Sequence, residues 1–202
     1  MSEGPASDAP VGEGPGDAPV ARPARAARRH DPGRRDRILD AALDVIAEHG
    51  VAGTTHRRVA AAADVPLGSM TYHFADLDEV LRLAFERHAD AAATRYEASM
   101  AQSAGGDVAD RIARLVCEET VEHPRDLVLA LELYALAARR PEFRQLTQAW
   151  MQRSRRALEQ HVDPTSARAL DAVVEGLVLH TVLSTEPFDA QRVRALVGRL
   201  VG

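Results

Sequence analysis

The chain of 202 residues contains no lysine and no asparagine, only one cysteine, and an aromatic share of 4%. Each shortage excludes something. A lone thiol, Cys117, forms no intramolecular disulfide and supplies no multi-cysteine zinc site. Two readings of it stand, a redox sensor or an idle thiol, and the adjacent acids Glu118 and Glu119 disfavour the reactive thiolate. Few aromatics within a 46% hydrophobic composition, most of it Ala, Leu and Val, favour helices over strands. No apolar run is long enough to span a bilayer, and the N-terminus lacks the basic-then-apolar layout of a signal peptide. The expectation is a soluble, cytoplasmic chain with no membrane partner. No nucleophile–base pair, phosphate-binding loop or metal-spaced histidine pair stands out, so no enzymatic activity, metal or cofactor is expected. With lysine missing, all 25 basic residues are arginine, which reads as the codon bias of a high-GC genome.

The net charge of -5 does not advertise a nucleic-acid partner, and its distribution matters more than its sum. Residues 1–20 carry only acids, and 21–33 are Arg-rich. Both stretches are rich in Gly, Pro and Ala, lack apolar periodicity, and read as a disordered tail. Its arginines, Arg22, Arg25, Arg28 and Arg29, either follow a phosphate backbone, reach into a minor groove, or only keep the tail solvated. Residues 34–75 are balanced, with positive charge local to Arg34, Arg35, Arg37, Arg57 and Arg58.

What is present is concentrated in residues 54–74, TTHRRVAAAADVPLGSMTYHF. Thr54 suits a helix N-cap, and Val59, Ala60 and Ala63 give the following helix an apolar face. Asp64 makes the turn and Val65 plugs the angle. Pro66 opens a second helix, 66–73, that buries Met70 and Phe74 and exposes Leu67, Gly68, Ser69, Thr71 and Tyr72. Two short helices across a tight break have the shape of a helix-turn-helix, and the small, hydroxyl-bearing exposed set suits a major groove. Ahead of them, Ile38, Ala41, Ala42, Val45 and Ile46 mark one face of a bracing helix over 34–49, with Gly50 as its stop.

These residues resemble the TetR family of transcriptional regulators over roughly 34–83. The matching elements are an apolar helix ending in Gly50, the Thr54-Thr55 start, the Val59-Ala60 pair, the Asp64-Val65 turn, the segment from Gly68 through Ser69, Met70, Thr71, Tyr72 and His73 to Phe74, and Leu77-x-x-Val80. Three positions depart from the family pattern. Asp64 stands at a turn glycine, and Asp tolerates left-handed backbone angles. Thr71 stands at a phosphate-binding tyrosine, with Tyr72 beside it as a substitute, and Leu77 stands at a lysine. The resemblance implies DNA contacts by Thr55, His56, Arg57, Arg58, Leu67, Gly68, Ser69, Thr71, Tyr72 and His73.

Beyond residue 75, apolar periodicity and breakers at Pro124, Pro141, Pro164 and Pro187 predict helices over 76–100, 107–122, 125–139, 142–161, 165–184 and 189–201. With three helices before them, nine make an all-α fold: a helix-turn-helix domain over 34–75 and a helical ligand-binding and dimerisation domain over 76–202. Residues 170–183 are apolar almost all round, and 193–201 carry an apolar stripe. A two-helix surface from each partner in a homodimer accounts for both, through Leu170, Val173, Val174, Leu177, Val193, Val197 and Leu200. The resemblance further implies an unidentified small-molecule effector in the core. Met100, Glu132, Tyr134, Phe143, Trp150, Met151 and His180 are candidate cavity groups, with ordinary core packing as the competing reading of each. Glu132, an acid on an apolar helix, calls for a partner such as an arginine or a cationic ligand. The resulting expectation is a regulator, in the repressor sense, that binds a palindromic double-stranded DNA operator. An activator without a ligand, and a helical carrier or enzyme without a DNA role, are the alternatives.

Overall fold

Residues 1, 32–101, 107–118 and 123–201 are described by the computed structural model. Arg22, Arg25, Arg28, Arg29 and the Gly105-Gly106 break lie outside the described residues. Among the described residues there are nine α-helices, one 3-10 turn and no strand. The first is α1 (Arg34–Gly53), whose spacing buries Ile38, Leu39, Ala41, Ala42, Leu43, Val45 and Ile46. Gly50 interrupts it at φ 69°, ψ 170°, a conformation that favours glycine, and a single extra turn follows. Thr54 closes that turn instead of opening the next helix. Its hydroxyl donates to Gly50 O at 2.9 Å and is buried, so the expected cap sits one residue late.

Thr55 caps α2 (His56–Ala62), its hydroxyl accepting from Arg58 N. The end of α2 uses a left-handed residue without glycine. Asp64 has φ 50°, Val65 N–H donates back to Ala60 O at 3.0 Å, and Asp64 N–H to Ala61 O at 3.2 Å. That double closure satisfies the last carbonyls and turns the chain sharply. A short 3-10 entry at Pro66 and Leu67 leads into α3 (Gly68–His73), so Pro66 precedes the helix and is not its first residue.

The long α4 (Leu77–Ala101) begins on a reciprocal cap: Asp76 accepts from Glu79 N, and Glu79 accepts from Ala75 N. It is followed by α5 (Val108–Cys117), α6 (Pro124–Arg139), the 3-10 turn Pro141–Phe143, α7 (Arg144–Leu158), α8 (Pro164–Leu183) and α9 (Ala190–Val201).

Two apolar clusters form. One joins α1, α2 and α3 to Val80, Leu81, Ala84 and Phe85 of α4 and to Leu129, Leu133, Leu136 and Ala137 of α6. The apolar packing of the first three helices therefore continues past residue 75. The second gathers Tyr96 and Met100 with α5, the end of α7, α8 and α9. Ion pairs bind α1 to the later helices, Arg87 to Asp36 and Asp40 and Arg125 to Asp44, and a bidentate Arg140–Asp78 pair holds the end of α6 to the start of α4. Exposed pairs of this kind are worth roughly 0–1 kcal/mol each, so apolar burial holds the fold and the pairs set orientation.

The expected dimer stripe is corrected by this packing. Leu170, Val174, Val193 and Val197 are buried in the second cluster of their own subunit. The cause is α5, whose Ala109, Ile112, Ala113 and Val116 cover α9. Val173 and Leu177 remain half-buried, and Leu200 stays exposed beside Val182, Leu183 and Leu196.

Candidate functional site

The outer faces of α2 and α3 carry the residues expected on DNA. Thr55, Arg57 and Arg58 are exposed, and His56 is half-buried. Arg57 has no partner among the described residues, whereas Arg58 is tied to Gly53 O. On α3, Leu67 (49% exposed) and Tyr72 (83%) project outward. Thr71 is exposed and its hydroxyl returns to Gly68 O at 3.2 Å, while His73 packs edge-on to Tyr72. A Cβ built on Gly68 would meet nothing within 4 Å, so a large partner can approach its backbone. Ser69 departs from expectation: it is buried at 9% and leaves the outer face to its neighbours. Arg35 is likewise engaged internally, over the Phe74 ring and near Glu79.

The second feature is a cavity of about 350 Å³ between α4, α6, α7 and α8. Of the seven candidate groups, it brings together only Tyr134 and Trp150. Met100 and Phe143 are core, one in each apolar cluster. Met151 is half-buried outside the lining, and His180 lines a separate open groove between α8 and α9. Glu132 faces away from the cavity. Its carboxylate accepts Val51 N–H at 2.8 Å and lies 3.1 Å from where a Gly50 Cβ would sit, so its partner is backbone and not an arginine or a ligand.

The cavity wall holds groups that spacing alone did not single out: His88 and Tyr96 from α4, Asp126 from α6, and Asp171 and Glu175 from α8. His88 lies edge-on to Trp150 at 5.7 Å, and Tyr134 sits 5.9 Å from the same indole. Burial pushes the His88 imidazole down to about 4, against the pull of Asp126, so it is neutral near pH 7. Burial, then the charges of Asp171 and Glu175, raise Tyr96. Burial and Glu175 likewise raise Tyr134, which keeps both phenols protonated. Asp171 is raised as well, burial outweighing its hydrogen bond from Arg155 at 2.8 Å. The available signal was the i, i+4 pair Asp171 and Glu175 interrupting an otherwise apolar helix.

Two family models match the chain: "Bacterial regulatory proteins, tetR family" over residues 38–84 and "Tetracyclin repressor-like, C-terminal domain" over 103–202. The chain belongs to the TetR family. Its fold is shared with SCO7518 of Streptomyces coelicolor A3(2), crystallised as a candidate transcriptional regulator, at 47% identity and TM-score 0.79 over 84% of this chain and 99% of that one. The multidrug binding protein EbrR, crystallised with ethidium, is 39% identical with TM-score 0.74, covering 85% of this chain and 100% of EbrR. The transcriptional regulator BetI of Paraburkholderia xenovorans is 27% identical over 169 residues, 78% of this chain and 86% of BetI. As a TetR-family member the chain is a DNA-binding transcriptional regulator, and α2 and α3 are its helix-turn-helix. Among the described residues no helix is long and apolar enough to cross a membrane.

Proposed function

We propose that this regulator is a ligand-responsive repressor, without enzymatic activity, that acts in the cytoplasm as a homodimer on a two-fold symmetric operator. Residues 34–75 read the DNA, and 76–202 bind the effector and dimerise. Thr55, His56, Arg57, Arg58, Leu67, Gly68, Thr71, Tyr72 and His73 meet the operator. Hydroxyls and His73 serve phosphates, while Arg57 and the Leu67–Gly68 backbone serve base edges.

One observation carries the ligand response. Helix α6 presents Leu127, Ala130, Leu131 and Tyr134 to the cavity and, from its opposite side, places Leu129, Glu132 and Leu133 on the helix-turn-helix unit. An effector that prefers one position of α6 therefore biases the segment that leads into Thr55. Equal binding to both positions would switch nothing. EbrR has been crystallised with imidazole, ethidium, proflavin and malachite green, which supports an effector role for a cavity in this fold. The exposed Val182, Leu183, Leu196 and Leu200 on α8 and α9 support a symmetric interface there. Such an interface would hold two recognition helices about 34–36 Å apart, one DNA turn.

The test is footprinting and gel retardation on the DNA upstream of the chain's own gene, with and without malachite green. A protected two-fold symmetric segment, released by the dye, is the expected outcome. A complex that persists while dye absorbance shows the cavity saturated would overturn the ligand response. The absence of any retarded band would overturn the repressor reading.

A further inference from the structure

The exposed residues of α3 and its entry are Pro66, Leu67, Gly68, Thr71 and Tyr72. None carries an amide, a carboxylate or a guanidinium, the groups that distinguish guanine, adenine or cytosine by hydrogen bonds in the major groove. Ser69, the next hydroxyl along, is buried, and the Thr71 hydroxyl donates to Gly68 O at 3.2 Å. His73 is half-buried, packs edge-on to Tyr72 and lies at the trailing end of the helix. Ahead of Thr71, therefore, the exposed side chains offer a base pair no hydrogen bond.

What they offer is apolar surface. Leu67 is 49% exposed and belongs to neither apolar cluster of the subunit, whereas Val65, two residues earlier, packs on the first. A single exposed leucine is ordinary on a protein surface. This one stands immediately ahead of α3, and the leading residues of a recognition helix are the ones that meet base edges. A Cβ built on the adjacent Gly68 would meet nothing within 4 Å, so no side chain holds the DNA away from Leu67. In the major groove of B-DNA the apolar group that varies with sequence is the 5-methyl of thymine, and 5-methylcytosine carries the same methyl at the same place.

Resting on the reading of α2 and α3 as the operator-contacting face, we propose that Leu67 is a specificity-determining residue that reads a thymine methyl in each half-site. Its isobutyl group and the methyl cover one another from water, and no hydrogen bond takes part. A T·A pair is thereby preferred to C·G at that position, while the hydrogen-bonded reading of a base edge falls to Arg57 on α2.

The test is gel retardation with the full-length protein on the segment that footprinting protects, synthesised without methylated cytosine. Each thymine is replaced in turn by uracil, which removes only the methyl. At least one thymine per half-site is expected to show a loss of about fourfold when replaced in one half, and about tenfold or more when replaced in both. At that position a 5-methylcytosine·guanine pair is expected to bind more tightly than cytosine·guanine by a similar factor. Leu67→Ala is expected to bind the thymine and uracil forms alike, at about the affinity of the parent for the uracil form. A uracil effect undiminished in Leu67→Ala overturns the assignment to Leu67. Equal binding of the methylated and unmethylated cytosine forms, or a segment on which no uracil replacement weakens the parent, overturns methyl reading itself. The absence of a retarded band on the thymine form overturns the operator reading on which both rest.

Discussion

Replacing Glu132 with alanine tests the joint between the core and the DNA-reading helices. The carboxylate, half-buried, accepts Val51 N–H at 2.8 Å at the one break in α1. A hydrogen bond to a charged group contributes about 1.5–3 kcal/mol, and partial exposure places this one near the lower end, at about 1–2 kcal/mol. For a chain of this size that lowers Tm by roughly 3–6 °C. Glu132→Gln keeps an acceptor oxygen and should recover about half of the loss. Gly50→Ala meets the same carboxylate from the other side. At φ 69° it incurs about 1–2 kcal/mol of backbone strain, and its new Cβ would lie 3.1 Å from the Glu132 oxygen. Combining it with Glu132→Ala removes that contact, so the double variant should lose less stability than the two single losses added together. Thermal melts followed by circular dichroism measure all four proteins. Operator affinity should fall in Glu132→Ala by about 0.5–2 kcal/mol, because the released segment leads directly into the Thr55 cap. Strict additivity in the double variant, or a Glu132→Ala protein as stable and as tightly DNA-bound as the parent, would refute the joint.

Arg57→Ala should weaken operator binding by about 1–3 kcal/mol and leave the melt unchanged, since Arg57 is exposed and has no partner among the described residues; an unaltered gel-retardation titration would remove it from the interface. Leu200→Arg, at an exposed position of α9, should give a helical monomer by sedimentation, whereas Val197→Arg, fully buried, should lose the subunit fold itself. A well-folded Val197→Arg dimer would contradict the packing of α9 on α5. Because burial holds His88 at about 4, well below its unfolded value near 6.5, the unfolded chain binds the extra proton between those limits. Stability should therefore fall as pH drops from about 6.5 toward 4, and the urea midpoint of His88→Asn should show a shallower fall over that window.

The helix-turn-helix was legible because its signals are local. Turn chemistry at Asp64, the Thr cap and apolar spacing at Val59 and Ala60 act within a few residues, and the structure reproduces them to within one or two positions. Cap placement slipped at Thr54 because two adjacent threonines offer the same hydroxyl chemistry. Only the Gly50 break, with Glu132 reaching across from α6, decides which of them is buried.

Side-chain direction between helices was not legible, and one cause explains each miss. Apolar spacing says that a face is covered, not by what. The Val193 and Val197 stripe calls for a cover, and a partner subunit or α5 would satisfy it equally. Only the packing of Ile112 and Val116 against it decides for α5. The same holds in reverse for the acids. Glu132, Asp171 and Glu175 each stand on an apolar helix and each needs a partner, yet three kinds of partner answer: a backbone N–H, an arginine and a phenol. Charge on an apolar helix thus marks a residue with a long-range contact without naming it.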